Sequence, residues 1–61
     1  MAYQEEERTR LRRQSGKQAI ALAMEGRWQE AVAINSSLLE SFPHDVDAYN
    51  RLGRAYIELG E

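Results

Sequence analysis

The chain has no cysteine and a single histidine, His44, so neither a disulfide framework nor a Cys/His metal site can brace it. It also has little excess charge of either sign: 8 Lys and Arg stand against 10 Asp and Glu, a formal net charge of -2. That leaves no broad positive field to draw in nucleic acid or anionic lipid. No apolar run approaches the roughly 18 residues of a membrane span. The start, Met1-Ala2-Tyr3-Gln4-Glu5, lacks the basic-then-apolar order of a signal peptide, and a cytoplasmic location is expected. The parts of a catalyst are missing too. There is no glycine-rich phosphate loop, Ser36 and Ser37 have no base beside them, and Asp45 next to His44 reads as a helix cap rather than half of a dyad. No enzymatic activity, cofactor or bound metal is expected.

Only one proline, Pro43, and four glycines, Gly16, Gly26, Gly53 and Gly60, interrupt a chain rich in the good helix formers Ala, Leu, Glu, Gln and Arg. Val, Ile and Thr nowhere alternate with polar residues over a strand length, so the expected fold class is all-α. At 61 residues the chain is at most one small domain, below the roughly 70 residues at which one core gives a comfortable margin.

The clearest periodicity is Trp28, Ala31, Val32, Asn35, Leu38, Leu39 and Phe42, an apolar stripe at helical steps broken only by Asn35. It predicts a helix from about Arg27 to Ser41, stopped at Phe42-Pro43 because proline lacks an amide hydrogen and displaces the preceding residue from helical geometry. Asp45 is placed to cap a next helix over about Val46 to Leu59, with Asp47 in its positive first turn. The stripe of that helix is Val46, Tyr49, Leu52, Gly53 and Tyr56. Gly53 costs about 1 kcal/mol against alanine, which suggests close approach by a neighbouring helix. Upstream, Leu11, Ala19, Leu22 and Ala23 share one face of a first helix ending at Gly26, a left-handed cap. Its start sets Glu5, Glu6 and Glu7 before Arg8, Arg10, Arg12 and Arg13. Pairs such as Glu6 with Arg10 contribute only a few tenths of a kcal/mol, so the first residues are expected to fray. A coiled-coil arm is disfavoured, because Leu11 is the one strongly apolar residue from Gln4 to Ser15. The expected core is Trp28, Ala31, Leu38, Tyr49, Leu52 and Tyr56.

Gly26 and Gly60 stand 34 residues apart, and the same offset sets Ala21 against Ala55 and Leu22 against Tyr56. The run Tyr49-Asn50-Arg51-Leu52-Gly53-Arg54-Ala55-Tyr56 resembles the Trp-x-x-Leu-Gly-x-x-Tyr signature of the tetratricopeptide repeat family, with tyrosine for tryptophan, and the period is that of the family's helix pair. Trp28, Ala31 and Pro43 fall in the family's aromatic, small and closing-proline slots. The resemblance implies a charged helical extension over 1–11, one repeat over 12–45 and the first helix of a second over 46–61. Together these would form a three-helix right-handed superhelical unit whose last helix lacks its usual partner. Ser15, Gln18 and Asn35 depart from the family's large apolar or aromatic residues, as in an atypical terminal repeat.

The resemblance also implies a scaffold or adaptor acting by protein-protein contact, with a peptide held on the concave side. The slots facing that groove are Arg13, Gly16, Ile20, Ala23 and Met24 in the first helix and Asp47, Asn50, Arg54, Ile57 and Glu58 in the third. Asn50 and Arg54, four apart, could hold a peptide backbone or carboxylate, although a solvated face has the same composition. Gly16 and Ile20 occupy the slots where chaperone-binding relatives carry lysine and asparagine, which argues against a chaperone-type clamp. Leu52, Tyr56, Ile57 and Leu59 form an expected open face for self-association, with a two-fold dimer favoured. The alternative function is nucleic-acid or ribosome-surface binding through Arg8, Arg10, Arg12, Arg13 and Lys17. Glu5, Glu6 and Glu7 and the lack of interleaved aromatics, apart from Tyr3, count against it.

Overall fold

Three helices follow one another in chain order, α1 Ala2–Met24, α2 Trp28–Ser41 and α3 Val46–Leu59. They come from a computed structural model that describes residues 2–60, with side chains from Glu5 onward. Tyr3 and Glu61 lie outside the described side chains. No strand occurs among the described residues, and the all-α expectation holds.

Each turn is set by local chemistry. Gly26 adopts φ 71°, and two bonds close the end of α1: the Arg27 amide donates to the Leu22 carbonyl at 2.9 Å and the Gly26 amide to that of Ala23 at 3.0 Å. That bond pair is the Schellman stop, which needs a left-handed residue best supplied by glycine. α2 begins without a side-chain cap. Instead Arg27 grips Glu30 of the first turn through Nε and Nη2, at 2.8 to 3.1 Å, and reaches Glu25 at 3.2 Å. Hydrogen bonding to Glu25, then to Glu30, raises the Arg27 guanidinium above its ordinary pKa, and the Glu30 carboxylate suits the positive helix end. At the second turn Asp45 does cap α3, its Oδ1 accepting from the Ala48 amide at 3.1 Å. Gly60, at φ 82°, closes α3 as Gly26 closes α1.

The side chains that meet give the helix directions. Arg8 of α1 donates to the Ser41 carbonyl at the end of α2, so α1 and α2 run antiparallel. Arg51 reaches Asn35 and Arg54 lies over Trp28, so α3 runs back along α2, parallel to α1. α2 is the middle helix, and α1 and α3 both pack on it. The early turns of α1 are anchored on the α2–α3 connection. The Arg8 guanidinium sits 4.9 Å from the centre of the Phe42 ring, that of Arg12 6.0 Å, and Arg12 Nε is 3.4 Å from Asp45 Oδ2. The Glu6–Arg10 pair does not form among the described residues, whereas these cation–π and ionic contacts do.

The core is built from small residues: Ala19, Ala31, Ala48 and Ala55 are buried, with Leu38 as the one large apolar member and Asn35 fully enclosed. Of the expected core, Ala31 and Leu38 are buried and Trp28 and Leu52 half-buried, but Tyr49 and Tyr56 are exposed, as is Val46. The phase of α3 explains this correction. Ala48, Leu52, Ala55 and Leu59 recur at helical steps and face α2, which turns the tyrosines about a quarter-turn away, since successive residues rotate by about 100°. Gly53 is not a point of close approach, because a Cβ there would meet nothing within 4 Å. Leu11 is exposed as well, and the face of α1 against α2 is Ala19 with the half-buried Ser15, Leu22 and Ala23.

Candidate partner-binding groove

Because α1 and α3 flank α2 on one side, a groove opens between them. It consists of two adjoining concavities that share Ile20 and Arg51. One, of about 320 Å³, is lined from α1 by Ile20, Ala23 and Met24 and from α3 by Asn50, Arg51 and Arg54, with Ala31 and Asn35 of α2 as its floor. The other, of about 240 Å³, lies toward the start of α3 and includes Arg13, Gly16, Lys17 and Asp47. The fold therefore brings together eight of the ten residues assigned to this surface from the sequence. Ile57 and Glu58 line neither concavity.

The apolar contribution is exposed: Ile20 is 49% and Met24 83% accessible. The polar contribution is uneven. Arg54 pairs with Glu58 at 3.1 Å and lies 5.5 Å over the Trp28 ring, so its charge is already answered. Arg51 was not singled out in the sequence, yet it is the cation most firmly built into the groove. Its Nε donates to Asn35 Oδ1 at 3.0 Å, and Asn35 Nδ2 donates to the Ala31 carbonyl at 2.8 Å. Thus Asn35, which looked like a flaw in the α2 stripe, is a buried amide with both ends satisfied, as burial of a polar group requires. The available signal was that interruption, one polar residue inside an apolar repeat.

The surface expected to self-associate needs correcting in its membership. Leu52 and Leu59 are half-buried on the stripe facing α2, whereas Tyr56 and Ile57 are exposed together with Val46, Tyr49 and Gly53. This face of α3 carries no charged side chain. By the 34-residue offset, Tyr49, Gly53 and Tyr56 correspond to Ser15, Ala19 and Leu22, the α1 residues packed against α2.

Of the basic group, Arg8 and Arg12 are engaged on Phe42, Ser41 and Asp45, while Arg10, Arg13 and Lys17 form no ion pair among the described residues. No three His, Cys, Asp or Glu side chains gather as a metal site among the described residues. No helix among them is long and apolar enough to cross a membrane. In comparisons with known proteins, the tetratricopeptide repeat pattern matches residues 22–61, from the last turn of α1 through α2 and α3. No curated protein and no solved structure matches the chain significantly.

Proposed function

This chain belongs to the tetratricopeptide repeat family, and on that premise we propose that it is a non-catalytic scaffold or adaptor that binds another protein in the groove between α1 and α3. The observation that carries the reading is the pairing of two exposed apolar side chains, Ile20 and Met24, with the polar donors Asn50 and Arg51 across one concavity. A binding site needs that combination, because apolar area supplies affinity and a few placed polar groups supply orientation. The test is to substitute Ile20 and Met24 together by glutamate and compare partner capture with that of the parent chain. Both side chains are exposed, so helicity should survive while the captured partner is lost. Undiminished capture by the double variant would refute the groove as the binding surface.

We also infer that the chain self-associates through the uncharged face of Val46, Tyr49, Gly53, Tyr56 and Ile57. Support comes from the exposure of these residues and from the correspondence of Tyr49, Gly53 and Tyr56 to α1 residues that do receive a helix. A closed two-fold pairing is the simplest way to cover such a face. Sedimentation over a wide concentration range tests it. A dimer that Tyr49→Glu dissociates is the expected result, and a strictly monomeric chain at high concentration would rule it out.

A further inference from the structure

Gly53 stands in the middle of α3, where glycine costs about 1 kcal/mol against alanine, and a Cβ there would meet nothing within 4 Å. Within one chain the missing side chain therefore serves no contact. Its neighbours on the helix surface, Val46, Tyr49, Tyr56 and Ile57, are apolar or aromatic and all exposed. Successive residues turn by about 100°, which sets the two tyrosines about 40 to 60° to one side of Gly53, and Val46 and Ile57 about 20 to 40° to the other. The charged residues Asp47, Arg54 and Glu58 fall farther round, about 100 to 140° from Gly53, on the side that borders the groove.

This face is complementary to itself when read in the opposite direction. Two copies of α3 laid antiparallel, with a two-fold axis crossing between Leu52 and Gly53, set Tyr49 of each opposite Tyr56 of the other. Each tyrosine then lies about 5 Å along the helix from that axis, and the two Gly53 residues come within about 2 Å of each other along it. The missing side chains thus coincide at the crossing, where the backbones can close in. On the other side of the crossing, Ile57 falls between Val46 and Asn50 of the second copy. A parallel pair would instead set Tyr56 against Ile57 and Tyr49 against Asn50, with the two helix dipoles aligned side by side and repelling. The antiparallel pair matches ring with ring and opposes the dipoles.

We propose that the occupant of this face is α3 of a second copy, running antiparallel and crossing at Gly53. The Tyr49–Tyr56 pair forms twice across the dyad, as an isologous contact requires. The proposal rests on self-association through this face and adds to it the direction and register of the pairing. A dyad that crosses the helix axes keeps the groove side common to both copies. The dimer therefore presents its two grooves on one side, where a single partner can engage both; a parallel pair would turn them to opposite sides.

The chain has no cysteine, so single introduced cysteines report the pairing. Tyr49→Cys is mixed with an equal amount of isotope-labelled Tyr56→Cys, at a concentration where sedimentation of the parent shows a dimer. The mixture is oxidised in a glutathione buffer and the disulfide products are weighed. The mixed disulfide is expected to exceed its statistical share over both homodisulfides. Gly53→Leu should weaken the dimer at least about 10-fold by overfilling the crossing, while monomer helicity survives because the side chain enters open space. Predominant homodisulfides, or a Gly53→Leu chain that dimerises as tightly as the parent, would overturn the antiparallel crossing and spare self-association through the face. A dimer that yields no disulfide would overturn both the pairing and the choice of face. A parent chain that stays monomeric at every concentration would overturn self-association altogether and leave the face to a different protein.

Discussion

Asp45 joins all three helices, and replacing it by alanine tests the packing logic most directly. The substitution leaves the Ala48 amide without its acceptor at 3.1 Å, a cap loss of about 1 kcal/mol. It also removes the partner of Arg12 at 3.4 Å. Because the Arg12 side chain is 56% exposed while that of Asp45 is only 6% exposed, solvent screening limits the pair to a few tenths of a kcal/mol. The combined loss is about 1 to 1.5 kcal/mol, which at roughly 4 to 8 °C per kcal/mol for a domain of this size is a fall in Tm of about 4 to 12 °C. Asp45→Asn separates the two contributions, since asparagine caps as well as aspartate but carries no charge; it should lose only a few tenths of a kcal/mol, or about 1 to 3 °C. Thermal unfolding followed by circular dichroism measures both. Added salt should shrink the Asp45→Asn effect and leave most of the Asp45→Ala effect in place. If Asp45→Asn proves as damaging as Asp45→Ala, the cap is not the dominant contribution and the reasoning fails.

Gly26→Ala should destabilise by about 1 to 2 kcal/mol, read as a lower denaturant midpoint, because the φ of 71° is left-handed and a Cβ is disfavoured there. Gly53→Ala should do the opposite, raising stability by up to about 1 kcal/mol in dilute, monomeric conditions, since the added methyl meets nothing within 4 Å and alanine is the better helix former. An unchanged or lowered Tm would show that a helix does lie over Gly53. Ala55→Leu, at a fully buried position, should cost about 1 to 3 kcal/mol by forcing α3 away from α2, and a fully retained midpoint would contradict the tight alanine packing.

The helices themselves were legible because their limits depend on local chemistry. Pro43 cannot continue α2, Asp45 has the short acceptor that a first turn needs, and Gly26 can take the left-handed stop. The period of 34 residues, the tyrosine-containing run of α3 and the family followed from the same short-range features. The core of α3 was not legible. Judged by size, Tyr49 and Tyr56 looked like the buried residues and Ala48 and Ala55 like filler. Where helices pack closely on one another there is little room for rings between them, so the alanines went inside with Leu38 and the tyrosines outside. The eight groove residues were recovered from their slots in the repeat, while Arg51 was missed because its role depends on a partner 16 residues away on another helix.

The sequence by itself determined that this protein is three helices, where each stops, and to which family it belongs, since capping, helix propensity and the proline stop all act within a few residues. Tertiary structure decided which side of α3 is inside, that Asn35 is a buried tether rather than a defect, and that Arg51 rather than Arg54 is bound to it. The physical reason is that burial and hydrogen bonding between helices depend on their rotation and spacing, which are set only when α1 and α3 settle on α2.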